Sequence, residues 1–361
     1  MTQSTPDSGN PRVGITVGDA AGIGPEVALK ALASEEVRSA CRALLFCDAR
    51  ELSRQAAAMR LECDYPAINH NDVANNISPV AIVDLNNLAS PAKPGETSAA
   101  AGRAAAEYVA SAVSLCRAGA LDAIATAPIN KAALRLAGMP FEGHTEMLAS
   151  LCGADRCLMS FFAGPLRVVL LTTHVSLGGA IGLIKKDHVV RSLVMTAREI
   201  VRFGTPEPRI ALAGLNPHAG ESGLFGAEDR NELVPAVQEC RESHGINVTG
   251  PLPADTLFVR AWRGEFDCVV ACYHDQAMIA VKCLAFGKAV GVTLGLPIVR
   301  TSVDHGTAFD IAGRGIADAG SMIEAIKTAA DLARLNASTC PVAGRTIEPP
   351  TRPRRSFRLG H

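Results

Sequence analysis

The 361-residue sequence predicts an α/β protein with two lobes and a largely parallel sheet. Short β-branched runs alternate with helical stretches, which is the pattern of strand–helix–strand units. Hydrophobic residues make up 48% of the chain and charged residues 20%, so a large core can be buried. The length exceeds one domain of roughly 100–200 residues and suits two.

The strand and helix signals follow one another along the chain. Residues 100–118 place apolar positions at three- and four-residue steps and stop at Gly119. Residues 189–203 form a second helix, with Asp187 as the expected N-cap and Gly204 as the stop. The predicted strands are residues 13–17, 81–83, 123–125, 168–171, 210–215 and 268–272.

The charge balance disfavours several classes of function. Lys and Arg number 35 and Asp and Glu 36, so the net charge of −1 argues against a nucleic acid or an anionic membrane as the main partner. No run reaches the roughly 18 apolar residues of a membrane helix, and no signal peptide is recognisable. We therefore expect a soluble cytoplasmic protein with reduced cysteines. Residues 1–11 are expected to be a disordered leader and residues 344–361 a flexible basic tail.

Three histidines follow the carboxyl ends of predicted strands. His174 follows RVVLLTT, His218 follows RIALAGLNP and His274 follows DCVVACY. Ligands of open α/β sheets bind at that edge, and three neutral imidazoles suit a catalytic divalent metal. The alternative is that each is a loop histidine without a ligand. Their shared edge, beside Asp275 and Glu221, favours the metal site.

Two further clusters suit an anionic substrate. His144 and Thr145 follow a glycine at a predicted helix start, where unpaired N–H groups can bind a phosphate or carboxylate; a plain N-cap at Thr145 is the alternative. Lys282 and Arg300 flank a loop rich in Gly and Pro, and Arg offers a fork matched to such groups. Solvation at the surface is the default for either cation.

A glycine-punctuated loop covers residues 305–318. Gly306 and Gly313 allow the backbone to approach a ligand closely, and Asp310 could accept hydrogen bonds from a ribose or adenine. Composition alone favours a purely structural loop. Residues 18–26 follow a strand but do not spell GxGxxG, so the Rossmann fingerprint is absent.

Taken together, these motifs resemble the 4-hydroxythreonine-4-phosphate dehydrogenase (PdxA) family over about residues 13–330. The 305–318 loop is also similar to the adenosine-binding loop of the isocitrate and isopropylmalate dehydrogenase superfamily, which binds its dinucleotide without a Rossmann fold. The motifs occur in the family's order and read GDAAGIGPE, TAPINK, GHTEML, TTH, NPHAGESGLFGAED, GPLPADTLF, YHDQ and LGLPIVRTSVDHGTAFDIAG.

The resemblance implies a two-lobed α/β/α homodimer with its active site in the cleft between the lobes, near the subunit interface. Residues 12–140 and 300–340 would form the first lobe, with the adenosine-binding loop, and residues 141–299 the second. The implied reaction oxidises the 3-hydroxyl of 4-phosphooxy-L-threonine with NAD or NADP and one divalent metal (Zn, Mg or Co). Loss of carbon dioxide then gives 3-amino-2-oxopropyl phosphate for pyridoxal phosphate synthesis.

The resemblance also assigns site residues. The general base stays open among Asp255, Asp275 and Lys282. The family's positions fall on His174, His218 and His274 for the metal, on His144, Thr145, Lys282, Gly291 and Arg300 for the substrate, and on His305, Gly306, Asp310, Gly313 and Asp318 for the cofactor.

One departure puts the substrate in question. Gly291 stands where the family has an Asn, so one side-chain contact to the substrate is missing. The alternative is the same chemistry on 4-phospho-D-threonate or 4-phospho-D-erythronate in sugar-acid catabolism. A metal-dependent hydrolase could use the same three histidines but would not need an adenosine-binding loop. A binding protein without turnover is disfavoured because the histidines, Lys282 and Arg300 are all present.

Overall fold

The computed structural model describes residues 9–339, and these contain twelve β-strands and twelve α-helices. Residues 1–8 of the expected leader and the expected basic tail lie outside the described residues. The strands are β1 (Arg12–Thr16), β2 (Arg42–Cys47), β3 (Ala67–Ile68), β4 (Val80–Asp84), β5 (Ala123–Thr126), β6 (Leu158–Ala163), β7 (Leu166–Leu170), β8 (Ile210–Ala213), β9 (Val248–Leu252), β10 (Cys268–Ala271), β11 (Val290–Leu294) and β12 (Val299–Ser302). The helices are α1 (Gly24–Ala33), α2 (Glu35–Ala40), α3 (Ala49–Met59), α4 (Ala99–Arg117), α5 (Lys131–Leu136), α6 (His144–Cys152), α7 (Leu177–Leu183), α8 (Lys186–Arg202), α9 (Val234–His244), α10 (Ala254–Trp262), α11 (His274–Ala285) and α12 (Gly320–Thr339).

All twelve strands join one sheet, in the order β3-β4-β2-β1-β5-β12-β11-β6-β7-β10-β8-β9. In this spatial order, the six strands from β3 to β12 are parallel to one another, and so are the last four, from β7 to β9. The pairs β12–β11, β11–β6 and β6–β7 are antiparallel and lie in the middle of the sheet. The predicted α/β class is thus confirmed, and the antiparallel centre is a feature that the sequence did not indicate.

Helices cover both faces of the sheet. Successive residues of a strand point to opposite sides, so a fully apolar strand presents apolar side chains to helices on both faces. On β10, Val269 packs in the cluster that contains Leu257 of α10 and Val281 of α11. Its neighbour Val270 belongs to the cluster that contains Leu193 of α8. The result is a three-layer α/β/α arrangement. Its parallel strands are buried on both faces, which explains their nearly continuous apolar sequences.

Each of the six predicted strands is present, with ends that differ from the prediction by at most two residues; the strand from Ile210 stops at Ala213 rather than at residue 215. The other six strands were missed. β2, for example, reads RALLFC and lacks both β-branched residues and polar alternation. A short apolar run of this kind does not distinguish a buried strand from a helix segment.

The two predicted helices are also present, but one cap prediction is wrong. α4 begins after Ser98, whose hydroxyl accepts a hydrogen bond from the Ala101 amide. α8 begins at Lys186, so Asp187 lies inside its first turn instead of capping it. The carboxylate of Glu232, 46 residues away in sequence, accepts the Lys186 N–H at 2.8 Å. A tertiary contact therefore replaces the local cap. Within residues 9–339, no helix combines the length and apolar character needed to cross a bilayer.

Candidate active site

A cavity of about 270 Å³ lies beside the antiparallel centre of the sheet. Its walls follow the carboxyl ends of β5, β7 and β12 and include the start of α6. It brings together residues that the sequence assigned separately to substrate (His144, Thr145 and Arg300), metal (His174) and cofactor (His305 and Gly306). The remaining lining residues are Thr126, Pro128, Ile129, Lys131, Gly143, Glu146, Cys157, Met159, Thr173, Ser302 and Val303.

Arg300 is a buried cation in the wall of this cavity. Its guanidinium donates from Nη2 to Thr126 Oγ1 at 2.7 Å and from Nη1 to Thr293 Oγ1 at 2.9 Å. No carboxylate within residues 9–339 forms an ion pair with it. Burial lowers the pKa of Arg300 to about 10, which shows the electrostatic cost of the uncompensated charge. A buried arginine held only by hydroxyls is a strong candidate for binding an anion.

His144 is the first residue of α6, next to Gly143 as the N-cap. Its Nε2 is buried and has no hydrogen-bond partner among the described residues. Burial, with a further contribution from the Arg300 charge, lowers the pKa of His144 well below its ordinary value, so the ring is neutral. Thr145 is the second helical residue, so the alternative reading of Thr145 as the N-cap is wrong. No side chain caps this helix start, which leaves its first N–H groups available to a ligand.

The structure brings two of the three predicted metal ligands together. His174 follows β7, His274 opens α11 after β10, and their ring centroids are 6.0 Å apart. Both line a second cavity of about 210 Å³, which shares Thr173 and His174 with the first. Burial, the Lys131 charge and His274 lower the pKa of His174, so this imidazole is neutral.

His218 lies five residues after the end of β8, the strand next to β10, in a backbone of unusual conformation. Residues 218–222 all have positive φ angles, between 41° and 84°. Such backbone is costly for residues other than glycine and is found at functional sites. The carboxylate of Asp229 holds the entry to this turn by accepting the N–H groups of Leu215 and Asn216.

The donor set fits a divalent cation in chemical character. The imidazoles of His174 and His274 are close. The Asp275 carboxylate lies 2.7 Å from His274 Nδ1, so Nε2 is the ring nitrogen of His274 that could coordinate a metal. Across residues 9–339, however, no three His, Cys, Asp or Glu side chains are grouped closely enough to hold a metal ion. The three-histidine site therefore stays a prediction.

Other predicted site residues lie outside the first cavity. Lys282 forms an ion pair with Asp304, with Nζ 2.9 Å from Oδ2. Gly291 on β11 lies opposite Ser302 on β12, and it is Ser302 that lines the cavity. Of the candidate bases, only Asp275 lines either cavity, the second one; Asp255 is an exposed residue in the first turn of α10.

The predicted cofactor loop enters the cavity only at its beginning. His305 and Gly306 line the wall, and His305 Nε2 is buried without a partner among the described residues. Gly313 has φ 74°, a conformation that L residues rarely adopt. Asp318 accepts the Gly320 N–H at 2.8 Å and so has a structural role at the start of α12, while Asp310 is exposed.

The helix α1, which begins within the GDAAGIGPE motif, holds the far end of this loop. Lys30 Nζ donates to the carbonyl oxygens of Gly315 and Ala317 and to Glu26 Oε1 at 2.8 Å. Glu26 Oε1 also accepts the Ala317 N–H at 2.6 Å. The N-terminal motif and the loop, nearly 300 residues apart, thus form one structural unit.

Sequence reasoning missed Lys131, Thr126 and Ser302, all of which line the cavity. Lys131 is the last residue of the TAPINK motif, and the family resemblance assigns it no role. It follows the carboxyl end of β5 by five residues, so the rule that selected the histidines could have found it.

A comparison with known families identifies the chain. The model of the family described as "Pyridoxal phosphate biosynthetic protein PdxA" matches residues 39–329. The chain belongs to the PdxA family. This confirms the resemblance that the motifs carried and makes the protein an oxidoreductase, as the relatives are named dehydrogenases.

Relatives of this PdxA-family chain carry two different substrate names. It is 47% identical to "D-threonate 4-phosphate dehydrogenase" of Cupriavidus necator over 90% of this chain and 97% of the relative. It is 44% identical to "4-hydroxythreonine-4-phosphate dehydrogenase" of Desulfosudis oleivorans, over the same shares of the two chains. A crystal structure of a 4-hydroxythreonine-4-phosphate dehydrogenase from Burkholderia phymatum superposes with a TM-score of 0.80 at 45% identity, covering 90% of this chain and 98% of that one.

Proposed function

We propose that this protein oxidises the 3-hydroxyl of a four-carbon hydroxy acid phosphorylated at C4, with NAD or NADP as hydride acceptor. The observation that carries the proposal is Arg300, a buried cation without a carboxylate partner among the described residues, in a cavity shared with His144 and His174. A phosphorylated hydroxy acid supplies the negative charge that such a wall needs. The 3-oxo acid so formed loses carbon dioxide, as expected of a β-keto acid.

Among such acids, 4-phospho-D-threonate is the favoured substrate. Gly291 provides no side chain where the family resemblance expects Asn, and Ser302 faces the cavity in its place. The Cupriavidus necator relative bears the corresponding name. Oxidation at C3 and loss of carbon dioxide would give dihydroxyacetone phosphate. The second candidate, 4-phosphooxy-L-threonine, is supported by the name of the Desulfosudis oleivorans relative and would give 3-amino-2-oxopropyl phosphate.

Some residues of the site bind the substrate, and others orient the residues that do. The Arg300 fork binds one oxyanion, and neutral His144 with the uncapped start of α6 contributes further hydrogen bonds. Asp275 orients the His274 ring. A divalent cation bound by His174, His218 and His274 would lower the pKa of the substrate hydroxyl and polarise the ketone. By its position, Asp275 is better placed than Asp255 or Lys282 to accept the hydroxyl proton.

A homodimer is supported by the apolar surface beside the second cavity. Val175 and Leu177, which line it, are 49% and 58% exposed, and Ile181 and Leu183 of α7 are also exposed. A cluster of exposed apolar side chains marks an interaction surface. Burial against a second copy of the chain would remove these side chains from water and complete the edge of the site.

The test is a spectrophotometric assay of purified protein with a divalent metal. Each phosphorylated acid is supplied with NAD and with NADP, and the reduced-nicotinamide absorbance and the released carbon dioxide are followed. We expect turnover with 4-phospho-D-threonate, its loss in Arg300→Met, and little change in Arg135→Met, which removes an exposed arginine of α5. Turnover only with 4-phosphooxy-L-threonine would reverse the substrate choice. Absence of turnover with both acids would overturn the proposal.

A further inference from the structure

Lys131 is a cation of the first cavity to which neither the sequence motifs nor the family resemblance gave a role. It is the first residue of α5, where the chain emerges from β5, and it lines the cavity together with Arg300 and His144. Its Cε lies 3.6 Å from the position that a Cβ on Gly143 would occupy. The lysine side chain therefore extends along the N-cap of α6, beside the uncapped start of that helix.

The contacts of Lys131 differ from those of Lys282. Lys282 is already neutralised by Asp304, whereas no ion pair of Lys131 exists within the part of the chain that the structure describes. The carboxylate of Glu146 lines the same cavity without reaching ion-pair distance of Lys131. Two cations without carboxylate partners thus face a space of about 270 Å³. Arg300 is buried and Lys131 is exposed to solvent, and an anion that lies between the two is attracted by both.

Several donors besides the two cations converge on this space. They are the first N–H groups of α6, with the positive end of its helix dipole, and the Ser302 hydroxyl. Glu146 contributes a negative charge to the cavity but does not pair with Lys131, so a monoanion at Arg300 would leave Lys131 without an ion-pair partner within the described residues.

We propose that Lys131 binds a second oxyanion of the substrate, opposite the one bound at Arg300. This inference rests on the proposed function, because the phosphorylated hydroxy acid carries two such groups, a phosphate and a carboxylate. Lys131 contributes to the ground-state binding of substrate, and Lys282 keeps its ion pair with Asp304. The ammonium group supplies a charge and up to three hydrogen bonds without fixing which of the two groups it takes.

The experiment compares wild type with Lys131→Met, Lys131→Arg and the control Arg135→Met, which removes a positive charge four residues away on the same helix. Calorimetry measures the binding of 4-phospho-D-threonate, of inorganic phosphate and of unphosphorylated D-threonate. We expect Lys131→Met to weaken binding of the phosphorylated acid roughly 10- to 100-fold, the range for a lost charge-assisted hydrogen bond. Lys131→Arg should recover most of this loss, and Arg135→Met should bind as wild type.

The two smaller ligands identify the group that Lys131 binds. A selective loss of phosphate affinity in Lys131→Met would assign the phosphate to Lys131, and a selective loss of D-threonate affinity would assign the carboxylate. The steady-state KM for the acid should rise while the KM for the dinucleotide stays constant, which a general loss of structure would not produce.

Two outcomes would overturn the inference. One is that Lys131→Met binds all three ligands within twofold of wild type, whether or not the protein turns over. The other is that wild type binds none of them. Because binding is measured without dinucleotide, failure of the proposed reaction is distinguishable from failure of the Lys131 assignment: a protein that binds these ligands through Lys131 but does not oxidise them refutes only the reaction.

Discussion

A Cβ atom at position 291 would lie 2.6 Å from the Oγ atom of Ser302, so Gly291 and the Ser302 hydroxyl fit each other across the antiparallel pair β11–β12. Gly291 does not need glycine for its backbone, because its φ angle is not positive. It needs glycine because the serine hydroxyl occupies the space of a side chain. Position 291 therefore acts on the cavity through Ser302.

We expect Gly291→Ala to rotate the Ser302 hydroxyl away and to raise the KM for the phosphorylated acid with little change in melting temperature. A rotated side-chain tip is a small perturbation of the fold, whereas a lost hydrogen bond to the substrate weakens binding about 3- to 10-fold. Ser302→Ala should have the same effect. The double variant should be no worse than Ser302→Ala alone, because both changes remove one interaction. Additive losses in this cycle would contradict the coupling.

The contacts of Lys30 predict a variant that separates cofactor binding from substrate binding. Lys30→Met removes three hydrogen bonds, two of them to Gly315 and Ala317, and leaves the buried Glu26 without its cation. If the 305–318 loop binds the dinucleotide, the KM for the dinucleotide should rise in this variant. The affinity for the phosphorylated acid, measured without dinucleotide, should stay near that of wild type. We also expect a loss of stability of up to about 3 kcal/mol, as for one broken buried pair.

The matched control is Lys327→Met, which removes two solvent-accessible ion pairs of α12, with Glu36 and with Glu324. Exposed pairs contribute about 0–1 kcal/mol, so this variant should behave as wild type in both assays. An unchanged dinucleotide KM in Lys30→Met would show that the clamp on residues 315–317 has no part in cofactor binding.

The packing of α4 on α5 depends on Gly102. A Cβ at this position would lie 2.2 Å from the carbonyl oxygen of Ala133, a backbone atom that cannot rotate away. Gly102→Ala should therefore destabilise the protein by about 1–3 kcal/mol or more, as overpacking does. Since α5 begins with Lys131, we also expect weaker substrate binding.

Gly182→Ala provides the comparison for Gly102→Ala. Gly182 lies in α7 with open space around it, so the same substitution should stabilise the helix by up to about 1 kcal/mol. Urea denaturation curves of the two variants measure both effects. Equal midpoints would show that the α4–α5 contact relaxes without cost.

The sequence predicted the edge of the sheet at which the site lies, and it did so from local information. His174, His218 and His274 each follow an apolar run that becomes a parallel strand, and parallel neighbours end at the same edge. The sequence could not indicate how the three rings are oriented. Ring positions depend on the irregular backbone after each strand, such as the left-handed turn at residues 218–222.

The cations also show what the sequence predicts and what only the structure decides. Arg300 stays a predicted anion-binding residue, and the structure adds that it is buried with Thr126 and Thr293 as its hydrogen-bond partners. In the sequence, Lys131 and Lys282 are the same residue type, and the composition of the neighbouring residues does not tell them apart. The structure separates them, because Asp304 lies within reach of Lys282 only.

By itself, the sequence determined the α/β class, the family and most of the candidate site residues, because apolar periodicity, strand ends and motif order are properties of the chain read locally. Only the tertiary structure decided the partners of those residues: Ser302 against Gly291, Asp304 against Lys282, and Lys30 against the far end of the 305–318 loop. The physical reason is that hydrogen bonds and ion pairs act over about 3 Å, whereas the partners are separated by up to nearly 300 residues of chain and meet only when the sheet has formed.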